Sequence, residues 1–252
     1  MSFSLGVIGL GRIAQAIILP LLDRGEFLPS EIFAVVGTSE SALSAKNLCP
    51  AGMKIVPSDN STQEEVWRAP IQLLAVKPNQ LQLIAEQVPE KNNLGLPNKP
   101  LLISVLAGIN LQKLQSLFPG HICVRAVPNT PSLIGQGLTG LSWGEGITAS
   151  HKKSVKNIFD PISKIFELPE QQMDAFLALT SSGPAYVALI VEALSDGAVA
   201  VGLPRSLANE LTNQTIAGTV ALLLEKNLHP SQLKDMVASP GGTTIAALRH
   251  LE

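Results

Sequence analysis

The stretch Leu5-Gly6-Val7-Ile8-Gly9-Leu10-Gly11-Arg12-Ile13-Ala14 decides how the rest of the chain is read. Leu5 to Ile8 is a short apolar run that reads as a buried strand, and it breaks at Gly9, where the chain must turn sharply. From Ile13 the residues follow a helical pattern to Asp23, ended near Gly25. A strand that meets a helix through Gly9-x-Gly11-x-x-Ala14 suits a dinucleotide pyrophosphate: Gly9 makes the turn, Gly11 lets backbone approach the phosphates, and Ala14 permits close helix-to-strand packing. The helix aims its N-terminal amides and positive dipole end at the same place. Alone the string is weak, because glycines also mark ordinary tight turns; the strand, turn and helix around it give it weight.

Outward from this unit, apolar runs at 32–36, 71–76, 101–105 and 122–127 read as strands, and a helical pattern follows Pro78 over 79–87. Such alternation predicts a parallel sheet with helices on both faces, and strands nearly continuous in hydrophobicity fit a sheet covered twice. Residues 138–143 are read as a last edge strand. After about Leu168 strand-like runs give way to Ala- and Leu-rich helical patterns. One runs from about 184 to 201, with Ser182 as cap, Pro184 in the first turn and Gly202 with Pro204 closing it; another spans 205–226. The predicted fold class is α/β, a Rossmann-type doubly wound sheet over residues 1–168 followed by an all-helical domain over 169–252. That helical domain is too small to cover helices apolar on most faces, so a partner subunit is expected, making it a dimerisation domain.

Composition narrows the function. The 252 residues carry 18 Lys and Arg against 20 Asp and Glu, a net charge of −2, with no basic run for nucleic acid or an anionic membrane surface. A small-molecule partner is expected. No uninterrupted apolar run reaches the roughly 18 to 20 residues that span a bilayer, so no membrane is expected. The N-terminus has no basic region or cleavage site ahead of its first strand, which predicts a cytoplasmic address. Cys49 and Cys123 lack metal-ligand spacing, and no metal is expected. His121 follows Gly120, His229 precedes Pro230, and His151 and His250 fall on polar helix faces; all four are assigned to the surface, and none is flanked like a general base.

At the end of the second strand the chain reads Gly37-Thr38-Ser39, where an acidic residue would accept from an adenosine ribose and repel a 2′-phosphate. Hydroxyls there favour NADPH, with NADH possible because Glu40 lies close and no Arg follows. Thr38 and Ser39 also suit a helix cap. The run to Val76 leads into Lys77-Pro78, where proline holds Lys77 extended at the sheet edge. Ala107-Gly108 and Pro128-Asn129-Thr130-Pro131 follow later strands and fall at the same opening, outside the carboxyl ends of the strands. Each of these segments singly reads equally well as a turn. Near the end, Ser239-Pro240-Gly241-Gly242-Thr243-Thr244 leads into a helix, and its amides and hydroxyls make a carboxylate cradle. A capping box explains the threonines but not the paired glycines.

The chain resembles the pyrroline-5-carboxylate reductase family over nearly its whole length. The resemblance rests on Gly9-x-Gly11-x-x-Ala14, Ala75-Val76-Lys77-Pro78, Val127 to Pro131, Ser181-Ser182-Gly183-Pro184-Ala185-Tyr186, and Leu233-Lys234-Asp235 running to Ser239-Pro240-Gly241-Gly242-Thr243-Thr244. It implies hydride transfer from a nicotinamide to the imine carbon of L-1-pyrroline-5-carboxylate, giving L-proline in the final step of proline biosynthesis. It implies that Ile8, Gly9, Leu10, Gly11, Arg12, Ile13, Ala14, Thr38, Ser39, Ala75, Val76, Lys77, Pro78 and Ala107 line the cofactor, and Asn129 at the same opening is counted with them. Ser239, Gly241, Gly242, Thr243 and Thr244 would hold the substrate across a dimer interface, with Thr244 as the catalytic hydrogen bond to the ring nitrogen. Helical domains interleaved about a twofold, and dimers gathered into rings, often decamers, are implied as well. Members usually continue past 245–252 with another helix, whereas this sequence ends at Leu251-Glu252. A β-hydroxyacid or imine dehydrogenase would place a catalytic lysine on the long interdomain helix, and none lies between Ile165 and Arg205. A non-catalytic NADPH-binding sensor would have no use for the segment from Ser239 to Thr244.

Overall fold

The structure, a computed structural model, describes residues 3–89 and 99–251; the terminal Glu252 lies outside them. It divides into two compact units, residues 1–184 and 185–252. The first is built on eight strands: β1 (Leu5–Ile8), β2 (Ile32–Val36), β3 (Lys54–Pro57), β4 (Ile71–Leu74), β5 (Leu101–Ser104), β6 (Ile122–Val127), β7 (Gly137–Trp143) and β8 (Ser163–Glu167). They lie in the order β3-β2-β1-β4-β5-β6-β7-β8. Neighbours pair in parallel except β6 and β7, which are antiparallel. The chain leaves β1 for β2 on one side and later enters β4 on the other, so the direction of winding reverses beside β1. Such a reversal opens a crevice at the carboxyl ends of the strands.

Alternate residues of each central strand feed opposite cores. Val7, Leu73, Ile103 and Val124 pack with Ile17, Ile18 and Leu21 of α1 (Arg12–Asp23) on one face. Their neighbours Ile8, Leu74, Leu102 and Cys123 pack with Trp67, Leu114 and Phe118 on the other. That is why these strands are apolar at nearly every position, with Gln72, Ser104 and Arg125 as the buried polar exceptions. Each fully buried side chain of this size removes enough apolar surface from water to stabilise the fold by about 1.5–3 kcal/mol. Helices α2 (Ser39–Leu48), α3 (Leu81–Glu86), α4 (Leu111–Leu117), α5 (Ala149–Phe159) and α6 (Met173–Thr180) complete the unit. The compact division falls at 184/185, past the change of composition near 168, because α6 packs on the sheet. A Cβ on Gly140 of β7 would stand 2.8 Å from the Phe176 ring. Buried Arg125 of β6 pairs with Glu170 at 2.7 Å and with Asp174 at 2.5 Å, tying the start of this segment to the strand.

Four expectations need correction. β7 is not an edge, since β8 pairs with it along residues 137–141. β8 and β3 carried too little apolar signal to be read: Ser163-Lys164-Ile165-Phe166-Glu167 is half exposed, and β3 ends on Pro57, as outer strands tolerate. His121 is not at the surface but 6% exposed, edge-on to Trp67 and Phe118 with centroids 6.0 and 5.8 Å away. Finally, an 18-residue window within Glu170–Ala200 has a mean hydropathy of 1.5, enough by length and composition alone to cross a membrane. Counting uninterrupted runs missed this, because small polar residues and a few acids break the runs without lowering the mean far.

The second unit holds most of α7 (Gly183–Ala200), α8 (Arg205–Lys226), α9 (Pro230–Val237) and α10 (Thr243–Leu251). Asn227 closes α8 in the left-handed region at φ 49°. Arg205 pairs with Asp196 at 2.5 Å. Among the described residues of this unit only Ser195, Ala208 and Thr212 are buried. Tyr186, Leu189, Ile190, Leu194 and Leu224 stand half exposed or more. Isolated helices of this kind are marginal in water, and an apolar stripe is normally covered.

Candidate functional site

At the carboxyl ends of β1, β2 and β4 lies a cavity of about 820 Å³. Its floor is the turn from Ile8 to Gly11. Gly9 adopts φ +88°, and a Cβ there would meet the Ala75 carbonyl oxygen at 2.7 Å, so this turn demands glycine twice over. Gly11 differs: a Cβ would meet nothing within 4 Å, so no protein atom requires its absence. It is the N-cap of α1, with no side-chain cap and no acid in the first turn. The first amides of α1 are thus left to an outside acceptor, the arrangement that binds a phosphate. The Gln15 amide nitrogen, also lining the cavity, donates to the Leu10 carbonyl at 2.9 Å and braces the turn. Space, bare amides and a positive helix end fit a dinucleotide pyrophosphate.

Of the residues proposed from sequence for the cofactor, Ile8, Gly9, Leu10, Gly11, Thr38, Ala75, Val76 and Lys77 line this cavity. The others do not. Ala14 is fully buried in the packing of α1, and Ile13 leans on the same core. Arg12 and Ser39 are exposed, each opening a helix. Pro78 starts a short 3₁₀ turn, and Ala107 stands exposed beyond β5. Asn129 is 5% exposed; its amide donates to the Thr180 carbonyl at 3.0 Å and accepts from the Leu138 N–H at 2.8 Å. With the Ser181 hydroxyl on the Pro128 carbonyl at 3.2 Å, it fastens the strand end to the segment that opens α7.

Thr38 caps α2, its Oγ1 accepting from the Ser41 N–H at 3.1 Å, so the capping role read from sequence is present. Sequence reasoning missed Ser41, Ser44 and Ser58 on the same wall. Ser41 and Ser44 sit three apart on α2, a spacing that would have revealed them once the helix bounds were known. Ser58 lies beyond the unread β3 and donates to the Gly37 carbonyl at 3.0 Å. Among the described residues, the charged ones lining the cavity are Glu40 and Lys77. No histidine or cysteine among the described residues lines it; burial drives His121 down to about 4, Lys99 adding to the shift, and burial drives Cys123 up to about 12. The described lining thus offers backbone amides, hydroxyls and the Glu40 and Lys77 charges.

In the second unit, Ser239, Gly241, Gly242, Thr243 and Thr244 form a tight turn into α10. Gly241 takes φ +69°, and the Gly242 N–H donates to the Ser239 carbonyl at 3.0 Å. The helix begins at Thr243, so both threonines belong to its first turn, with backbone donors beside their hydroxyls.

Two family descriptions match: NADP oxidoreductase, coenzyme F420-dependent, over residues 4–108, and pyrroline-5-carboxylate reductase dimerisation over residues 170–252. A pyrroline-5-carboxylate reductase of Synechocystis is 41% identical over 252 residues, spanning 100% of this chain and 91% of that one. The chain belongs to the pyrroline-5-carboxylate reductase family. The Escherichia coli reductase is 32% identical over 253 residues, with the same coverage. The crystal structure of the Plasmodium falciparum pyrroline carboxylate reductase with NADP bound superposes with a TM-score of 0.86 at 30% identity, covering 99% of this chain and 89% of that one. As a member of a reductase family the chain is an oxidoreductase, and the region described as dimerisation contains the exposed apolar helices α7 and α8.

Proposed function

We infer that this chain catalyses the NAD(P)H-dependent reduction of L-1-pyrroline-5-carboxylate to L-proline, the final step of proline biosynthesis. The observation that carries the reading is the open glycine turn at Gly9 and Gly11, with the bare end of α1, in a chain that aligns throughout with pyrroline-5-carboxylate reductases. A bound reduced nicotinamide supplies the hydride. The chain's own residues do the rest. The amides from Gly11 onward bind the pyrophosphate, with Ile8, Leu10, Arg12, Ile13 and Ala14 shaping the turn and its helix. Thr38 and Ser39 serve the adenosine end, where hydroxyls favour NADPH over NADH. Ala75, Val76 and Lys77 complete the cofactor wall, with Pro78 and Ala107 following at the strand ends and Asn129 supporting the opening from behind. Ser239, Gly241, Gly242 and Thr243 hold the substrate carboxylate, and the Thr244 hydroxyl oxygen accepts from the protonated ring nitrogen. A protonated imine carbon accepts hydride readily, so a site that only orients the reactants is sufficient.

Residues 1–168 form the dinucleotide-binding domain and 169–252 the dimerisation and substrate-binding domain, in a cytoplasmic homodimer that assembles into a decamer. A subunit partner supplies the cover that the apolar stretch Glu170–Ala200 needs, without a membrane. The net charge of −2 supports a small-molecule substrate over nucleic acid. The test is steady-state oxidation of NADPH and of NADH by the purified chain with pyrroline-5-carboxylate. Turnover is expected with both and better with NADPH. Tight NADPH binding without turnover would overturn the reading in favour of a sensor.

A further inference from the structure

The wall of the cavity formed by α2 combines groups of opposite preference. Glu40 lines it from the first turn of α2, exposed and without an ion pair or hydrogen bond among the described residues. Lys77, the other charged lining residue, likewise has no carboxylate partner among them. No arginine among the described residues lines the cavity. The hydroxyls differ in what they can still offer. The Ser58 proton is committed to the Gly37 carbonyl at 3.0 Å, which leaves Ser58 an acceptor. Ser41 Oγ accepts from Thr38 at 3.0 Å, which leaves its own proton free to donate. Ser44, one turn further, has no partner among the described residues. A Cβ on Gly37 would meet nothing within 4 Å, so the end of β2 is open.

Two ligands would read this wall in opposite ways. A free ribose 2′-hydroxyl is a donor, and the Glu40 carboxylate accepts it. A ribose 2′-phosphate has only acceptors and a charge near −2, so Glu40 repels it while Ser41, Ser44 and the Lys77 ammonium attract it. We propose that Glu40 limits the preference for NADPH that the neighbouring hydroxyls give, repelling the 2′-phosphate and accepting from the free ribose hydroxyl of NADH, so that the chain works with both. The inference rests on the reading of this cavity as the dinucleotide site. The plainer role for Glu40, an acid favoured at a helix N-terminus, predicts no change in ligand choice.

The test compares adenosine 2′,5′-bisphosphate with AMP, titrated calorimetrically into the wild-type protein, Glu40→Gln and Ser44→Ala. A like charge a few ångströms from a phosphate in a solvated site raises the dissociation constant about five- to thirtyfold. Glu40→Gln should therefore shift the affinity ratio toward the bisphosphate by about that factor at low salt, and less at high salt. Ser44→Ala should shift it the other way. Both substitutions are on an exposed face, so thermal midpoints within about 2 °C of wild type show that the fold is kept. An unchanged ratio in Glu40→Gln overturns the assignment of Glu40 while leaving the cavity a dinucleotide site. Failure of the wild-type protein to bind either fragment overturns the dinucleotide reading, and this inference with it.

Discussion

Replacing His121 with phenylalanine should flatten the acid dependence of stability. Both ring nitrogens of His121 are buried without partners, and the ring lies edge-on to Trp67 and Phe118, so phenylalanine leaves no polar group unsatisfied. Burial first and Lys99 second lower its pKa from 6.5 to about 4. The sign follows from where the proton binds. Above pH 6.5 the ring is neutral in both states. Below it the unfolded chain takes up a proton that the folded chain refuses until about pH 4, so stability is lost as pH falls through that window. At about 1.36 kcal/mol per unit, the 1.5 units between 6.5 and pH 5 cost about 2 kcal/mol, or about 4–8 °C in melting temperature for a chain of this size. Glu167, held down to about 2 by hydrogen bonds from Lys156, Lys152 and Trp143, loses most of its contribution below its ordinary value of 4.5, under the pH 5 of the comparison. Thermal melts at pH 7.5 and pH 5, at one protein concentration, should show the drop in the wild type and most of it gone in His121→Phe. An equal drop in both proteins would refute the argument.

Gly9→Ala puts a Cβ 2.7 Å from the Ala75 carbonyl oxygen at φ +88°, and should cost about 1–3 kcal/mol of stability with loss of NADPH binding; fluorescence titration and a melt check both. Thr244→Ala should lower kcat about ten- to a hundredfold with little change in NADPH affinity, and normal turnover with weakened cofactor binding would reverse that assignment. Leu189, 66% exposed on α7, should be covered by the second subunit, so Leu189→Glu should weaken the dimer by about tenfold or more, read by light scattering over a dilution series.

The central sheet was legible because its strands are buried on both faces. Leu5–Ile8, Ile32–Val36 and Ile122–Val127 are read with their observed bounds, and the Gly9 turn carries its own steric explanation. The outer strands were not legible, since Ser163–Glu167 is mostly exposed and pairs through its backbone, which no side-chain pattern records. His121 was misplaced for a related reason: its neighbours Trp67 and Phe118 arrive from different parts of the chain, so burial came from tertiary packing and not from local polarity. At the site, the floor of the cavity could be read from glycine spacing, while Ser41, Ser44 and Ser58 needed the helix and strand that bring them to one wall. Asn129 was legible as a residue at the strand ends. Its bonds to Thr180 and Leu138, which give it a fastening role, depend on segments distant in sequence.

The measurement closest to the central claim follows the hydride itself. Pyrroline-5-carboxylate and the purified chain, supplied with NADPH deuterated at the transferring position, should yield L-proline carrying one deuterium on the former imine carbon, seen by mass spectrometry. Proline without the label, or oxidation of NADPH without proline, would contradict the account.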